Sequence, residues 1–411
     1  MKILLVGGYS GGNPGDEAIL KATVSRLDRL FPHAEFLVWA DDPAFSIQFD
    51  RGVRHQVFCW NPLAWLKGKS FSARLLTKLY IDFFPFSKRL ALALSLRNKR
   101  VREALAGFDK AILVGGGYLN SDYNLPEMNL IASAAVANGK PLYLLGQTLG
   151  PFRKPHHAQM AREIFEAADK IVLRETHSTQ EVASFGAKVL HGIDDAVAFE
   201  PRLAASERGA VDRYFSEGEG VVHLGVNLRD WDGSRNYYAR IAEAIEIFVT
   251  SLEGGRVRVL FVPMETSGHC DDRDEGRELA RHLSPALDYE VVTEKLSVEQ
   301  TYYLISRLDL FAGMRLHSLV FALSAGVPTV GFYQNEYYLR KIHGLFQKFG
   351  FEDRVLPLDE LADLASLLAR TFAEREDLRR SLISRKKEML ETHQALIEGV
   401  LNGAAPEKAP R

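Results

Sequence analysis

Cysteine is nearly missing from this chain. Cys59 and Cys270 have neither the number nor the spacing of a disulfide framework or a zinc site. Both are expected to be packing residues in a reducing cytoplasm. An excess of charge of one sign is missing as well: 51 basic side chains against 53 acidic ones leave a net charge of −2, which excludes a nucleic-acid binder driven by bulk charge. No uninterrupted apolar run reaches membrane-spanning length, and Met1-Lys-Ile-Leu-Leu-Val-Gly-Gly has an apolar run of only four residues before its glycines, too short for a signal peptide. A cytoplasmic location is therefore expected. His269 beside Cys270 and Asp271 has no second ligand pair at a recognised spacing, so a polar loop and no metal are expected there.

What is present suits a soluble protein of two domains, since 411 residues with 46% hydrophobic and 25% charged content supply more than one core. The chain is organised around Phe311 to Phe332. Leu308-Asp-Leu-Phe-Ala reads as a buried strand that stops at Gly313, and Leu316, Leu319, Val320 and Leu323 then follow the spacing of one helix face. Gly326 stands where a C-terminal cap belongs, with Pro328 after it. Arg315, His317 and Ser318 are thus predicted on the first turn of a helix leaving the carboxyl end of a parallel strand, where open α/β sheets bind ligands. Free N–H groups and the helix dipole favour an anion there, and Arg and His suit phosphate or carboxylate chemistry. Two blander readings stand beside this one: Ser318 as a cap and Arg315 as the partner of an acid.

From the N-terminus, Lys2 to Val6 reads as a buried strand, Gly7 to Gly15 as a glycine-rich turn, and Ala18, Ile19, Ala22, Val24 and Leu27 as the apolar side of a helix. The turn is neither a Walker loop nor a clean dinucleotide fingerprint. Asn13, Asp16 and Glu17 either cap this helix or line a binding cleft. Further strands are predicted at Glu35 to Ala40, Lys110 to Val114, Pro141 to Leu145, Lys170 to Leu173 and Ala187 to Leu190, several ending in glycine-rich or charged loops. Such strand-then-loop units imply a parallel, doubly wound sheet. Between them, Phe58 to Arg102 looks like an insertion, with ten basic residues and one acid, Asp82, among interleaved aromatics. It reads either as an amphipathic helical hairpin split at Pro85 or as a surface for anionic lipid headgroups that brings the protein to the inner face of the plasma membrane.

Pro201 to Gly220 lacks apolar periodicity, and the domain boundary is placed there: residues 1–205 as one Rossmann-like domain, residues 206–411 as a second with C-terminal helices. In the second, Val222 to Leu228 is a strand ending in Arg229, Val257 to Pro263 and Tyr289 to Val292 are strands, and Tyr237 to Leu252, Asp274 to Leu283 and Val298 to Ser306 are helices. Leu358 to Leu401 is helical in pattern.

Met-Arg-Leu-His-Ser followed by Phe-Ala-Leu-Ser-Ala-Gly-Val-Pro-Thr-Val-Gly-Phe resembles the C-terminal signature of the polysaccharide pyruvyl transferase family. Asn13-Pro-Gly-Asp-Glu17, Gly115-Gly-Gly-Tyr-Leu-Asn-Ser-Asp122 and Gly146-Gln-Thr-Leu-Gly-Pro-Phe152 resemble its N-terminal loops. The resemblance implies a GT-B-like α/β fold of two Rossmann-like domains facing across a cleft. It also implies transfer of pyruvate from phosphoenolpyruvate onto two hydroxyls of a sugar, in a polysaccharide or lipid-linked precursor, as a cyclic ketal. Phosphoenolpyruvate is then the donor substrate and no cofactor is expected. His317 and Arg315 are expected to be catalytic, and Arg174, Arg229, Ser318 and Lys341 to bind the donor, with the second domain as the donor side. Asn13, Asp16, Glu17, Gly116, Gly117, Asp122 and Gln147 are expected in acceptor-side loops. Where the family carries a tyrosine and then a lysine, Tyr333 to Lys341 has a longer spacing, leaving Arg340 and Lys341 both eligible for the lysine's place. Two other functions fit the same architecture: a nucleotide-sugar glycosyltransferase with Glu336 on the ribose, and a carbohydrate-binding relative without catalysis.

Overall fold

The computed structural model describes residues 1–7, 13–40, 45–50, 52–59, 99–123, 125–215, 220–229, 237–252, 256–266 and 271–403. Most of the basic, aromatic stretch from 58 to 102, and with it the reading as a membrane surface, lies outside the described residues, as do His269 and Cys270. No described helix is long and apolar enough to cross a membrane. The chain forms two compact units: Met1–Gly11, Ile19–Asp195 and Ala395–Arg411 make the first, and Gly12–Ala18 with Ala196–Gln394 the second.

The first unit is built on a parallel sheet with strand order β3-β2-β1-β4-β6-β7-β8, in which a further strand, β5, pairs with β6. These strands are β1 (Lys2–Val6), β2 (Glu35–Ala40), β3 (Arg54–Cys59), β4 (Lys110–Leu113), β5 (Gly116–Leu119), β6 (Leu142–Leu149), β7 (Lys170–Leu173) and β8 (Val189–His191). Ile3 to Val6 are wholly buried and β6 is buried along its length, as near-continuous apolar runs are when helices cover both faces of a parallel sheet. Trp39, Phe108 and Phe165 fill the core beside them. Two adjacent acids at the end of this unit are buried and matched. Asp194 takes Arg174 Nη1 at 2.5 Å, and Asp195 takes Arg26 Nη1 and Thr23 Oγ1, each at 2.5 Å. Pairing of this kind is what lets carboxylates leave water.

The second unit carries a six-stranded parallel sheet ordered β11-β10-β9-β12-β13-β14. Its strands are β9 (Val221–Asn227), β10 (Arg256–Phe261), β11 (Asp288–Val291), β12 (Leu310–Gly313), β13 (Thr329–Tyr333) and β14 (Val355–Pro357). The order is that of a doubly wound domain, with the winding reversing between β9 and β12. Tyr238, Phe248, Phe261 and Phe332 are fully buried in its core. The expected alternation of strands and helices is therefore present in both units. Several elements differ from expectation. Gly116–Leu119, read as part of a glycine-rich loop, is a strand; Arg54–Cys59 is an edge strand; Glu336–Phe349 is a helix and Val355–Pro357 a strand; and the stretch read as lacking periodicity contains a helix, Ala205–Asp212, whose single buried residue is Val211.

Candidate active site

In an open α/β sheet the winding reversal leaves a crevice at the carboxyl ends of the strands. In the second unit that edge is formed by the residues after β9 and β12. The helix after β12, Leu316–Ser324, is buried at every position except His317, so it is an interior helix whose polarity is confined to its start. Phe321 fixes it from below, with ring centroids 6.1 Å from Phe199 and 5.3 Å from Tyr302. Gly326 closes it in the left-handed conformation at φ 78°, as the C-terminal cap requires.

Arg315 is the N-cap residue, with extended backbone at φ −81° and ψ 125°. Its main-chain position is set by Asn227 at the end of β9. Asn227 Oδ1 accepts from Arg315 N at 3.1 Å, its carbonyl accepts from Met314 N at 3.1 Å, and its Nδ2 donates to Val262 O at 2.8 Å. One buried amide thus ties β9, the residue after β10 and the elbow together. The Arg315 guanidinium is held by Asp272 through two parallel bonds, Nε to Oδ2 at 3.1 Å and Nη2 to Oδ1. Asp272 is 1% exposed and also accepts from the main-chain N–H groups of Met264 and Glu265, each at 3.0 Å. Burial by itself lowers the pKa of Arg315, but the adjacent Asp272 carboxylate outweighs it and holds the pKa above the ordinary arginine range.

His317 is the second residue of the helix, half-buried, with Nε2 shut off from solvent. Its ring lies against Gly15, where an added Cβ would stand 2.0 Å from Nδ1. Asn13, Asp16 and Glu17 therefore come to the same place as His317, within the second unit. Asn13 caps the helix Pro14–Leu30 by accepting from Gly15 N at 2.9 Å, with Pro14 in the first helical position; Asp16 and Glu17, in the first turn, are half-buried. Ser318 is fully buried and its hydroxyl donates to Arg315 O at 2.7 Å.

Arg229 follows β9, and its carbonyl accepts from Tyr237 Oη at 2.9 Å. Lys341 donates to Tyr337 Oη at 2.6 Å and stands over the same ring, whereas Arg340 is buried and paired with Glu336 at 2.6 Å. In the first unit, Arg174 gives Nε to Thr148 Oγ1 at 2.7 Å as well as Nη1 to Asp194. Gln147 is fully buried and its Nε2 donates to Val114 O at 2.8 Å. Gly116 packs on the Tyr118 ring, the Gly117 carbonyl accepts from Asn120 Nδ2 at 2.6 Å, and Asp122 pairs with Arg153. Sequence reasoning missed Asn227, Asp272 and the contact at Gly15. The signals were slight: an amide closing a mostly apolar strand, a second acid beside Asp271, and one glycine among several.

The chain is 25% identical over 400 residues to the amylovoran biosynthesis protein AmsJ of Erwinia amylovora, covering 90% of this chain and 91% of that protein. A putative UDP-N-acetylglucosamine 2-epimerase of Listeria monocytogenes superimposes with a TM-score of 0.59 at 9% identity, over 100% of this chain and 99% of that one. An α,α-trehalose-phosphate synthase (UDP-forming) of Burkholderia vietnamiensis does so with a TM-score of 0.56 at 14% identity, over 98% and 97%. At these identities the two structures share the fold alone, a GT-B-like pair of α/β domains. Residues 13–336, from the Asn13 cap to the start of the helix after β13, match the profile of the polysaccharide pyruvyl transferases, transferases of polysaccharide biosynthesis, and the chain belongs to that family.

Proposed function

We propose that the protein transfers pyruvate from phosphoenolpyruvate to two hydroxyls of a sugar in a polysaccharide or its lipid-linked precursor, forming a cyclic ketal. The observation that carries this reading is the elbow Arg315-Leu-His317 at the winding reversal, with the imidazole set against Gly15 and the cation held by Asp272. An oxyanion is favoured at this helix start by the helix dipole and by the first-turn N–H groups, which an α-helix leaves without a partner inside the helix itself. Arg315 and Arg229, which follow the two strands that flank the reversal, are assigned to the donor's phosphate and carboxylate.

The chemistry is balanced as follows. A proton added to C3 of phosphoenolpyruvate makes C2 an oxocarbenium-like electrophile, which the first sugar hydroxyl attacks as it loses its proton. The C2–O bond to phosphate then breaks, and the second hydroxyl closes the ketal. Of the two hydroxyl protons, one is matched by the new methyl group and one leaves with phosphate. His317 is assigned as the base on a hydroxyl, since imidazole works in either direction near neutral pH. Asp16, Glu17 or water supplies the proton at C3, the two side chains being half-buried in the helix turn that contains Gly15. Arg229 and the helix start supply most of the electrostatic stabilisation of the leaving phosphate, with Arg315 orienting it, and no metal enters the scheme.

Phosphoenolpyruvate at about 100 times its dissociation constant is expected to stabilise the folded protein by about 2.7 kcal/mol, while a UDP-sugar at matched concentration leaves the melting temperature unchanged. Differential scanning calorimetry with each ligand separates the two donors, and protection by the nucleotide sugar alone would favour glycosyl transfer instead.

A further inference from the structure

The geometry points to Asp272 as the positioning residue for Arg315, setting which edge of the guanidinium meets the donor; this rests on the proposed donor role of Arg315. Four donors converge on the Asp272 carboxylate. Two are main-chain N–H groups, from Met264 and Glu265, both in the segment that follows β10. The other two are Nε and Nη2 of Arg315. Asp272 also opens the helix Asp272–Ala280, and its own N–H donates to Glu265 O at 2.8 Å. The carboxylate is therefore anchored on one side by backbone that is itself fixed, and it offers a planar two-oxygen edge on the other.

A guanidinium has two edges able to fork onto an oxyanion, one through Nε with an Nη and one through both Nη atoms. Asp272 takes the first. Only the end-on edge is left for a ligand, and its direction is fixed because Asn227 holds the Arg315 main chain while Asp272 holds the head group. Burial opposes charge on Arg315 and the carboxylate restores it, so the cation is kept where a neutral environment would disfavour it. A second consequence concerns charge. The Arg315–Asp272 pair is neutral taken together, so Arg315 contributes orientation more than net positive potential. The remaining charge of a phosphorylated acid falls to Arg229 and the helix start.

Stability alone is a weak reason for such a pair, since buried ion pairs are commonly no better than apolar packing. The test uses the full-length protein with phosphoenolpyruvate itself as the probe, read by isothermal titration, with the Michaelis constant for the saccharide measured in parallel. Asp272→Asn keeps the shape and loses the charge. It is expected to weaken phosphoenolpyruvate binding by about 10-fold, the scale of one charge-assisted hydrogen bond put out of line, and to leave the saccharide constant unchanged. Arg315→Ala weakens the donor at least as much, and the Asp272→Asn/Arg315→Ala double variant is no worse than Arg315→Ala alone. Asp272→Glu, which keeps the charge but shifts the oxygens by one methylene, gives the same donor-selective loss should the Asn variant not fold.

Wild-type donor affinity in both Asp272 variants, or additive losses in the double variant, overturns the positioning role while leaving the donor reading intact. Equal losses for donor and saccharide, following the fall in melting temperature, also overturn it. Wild-type donor affinity in Arg315→Ala overturns the donor reading, and the role of Asp272 with it.

Discussion

A His317→Ala protein is expected to turn over about 10²–10⁴-fold more slowly than the parent, the usual scale for removing a general acid or base, while still binding phosphoenolpyruvate. Position and chemistry both lead to this split. The histidine is the one residue of the interior helix Leu316–Ser324 that is not buried, and it stands at the start of that helix, directly after β12. The donor, in contrast, is assigned to the arginines and to helix N–H groups, none of which the alanine removes. Loss of a proton-transfer group slows the step in which the sugar hydroxyl becomes a nucleophile but leaves the ground-state donor contacts in place. Single-turnover rates measured beside donor titrations check the prediction. Near-wild-type turnover in a folded His317→Ala protein removes the residue from the mechanism.

Gly15→Ala is expected to lower turnover by about 10²-fold, the penalty of displacing a catalytic group by an ångström or so. An alanine Cβ would stand 2.0 Å from His317 Nδ1, 2.2 Å from its Cγ and 2.4 Å from its Cβ. No carbon sits that close to a non-bonded atom, so the imidazole, or the helix turn bearing Gly15, moves. Helix propensity argues the opposite way, since alanine is better than glycine in a helix interior by about 1 kcal/mol. Glycine at this position is thus explained by the neighbouring ring and not by the helix. Turnover of Gly15→Ala, His317→Ala and the double variant decides the matter. The double variant should be no slower than His317→Ala, and an unimpaired Gly15→Ala enzyme contradicts the contact's importance.

Much of the fold was legible because parallel strands buried on both faces leave short apolar runs with little else to explain them, as at Lys2–Val6 and Glu35–Ala40. Arg54–Cys59 was missed because it is an edge strand, exposed or half-exposed at every position, and so has no such run. Gly116–Leu119 reads in sequence as a glycine-rich loop because its glycines carry no side-chain pattern; it pairs with β6 through an irregular register. At the site, Arg315 and His317 were legible from the elbow that bears them, since local spacing puts them on a helix start. Their supports were not. Asp272 and Asn227 lie 43 and 88 residues from Arg315 along the chain, and only the strand order brings them to it. Ser318 shows the converse limit, because a serine at a helix start has the same spacing whether it meets a ligand or, as here, donates to the Arg315 carbonyl.

The claim that the protein forms a pyruvate ketal is tested most directly by its product. Incubated with phosphoenolpyruvate and a set of free and lipid-linked saccharides, the enzyme should release inorganic phosphate in step with a product heavier than its saccharide by one pyruvic acid less one water. That mass gain should withstand base and be lost in mild acid, as a ketal is. A saccharide that gains only a hexose from a nucleotide sugar, with phosphoenolpyruvate untouched, would contradict the account.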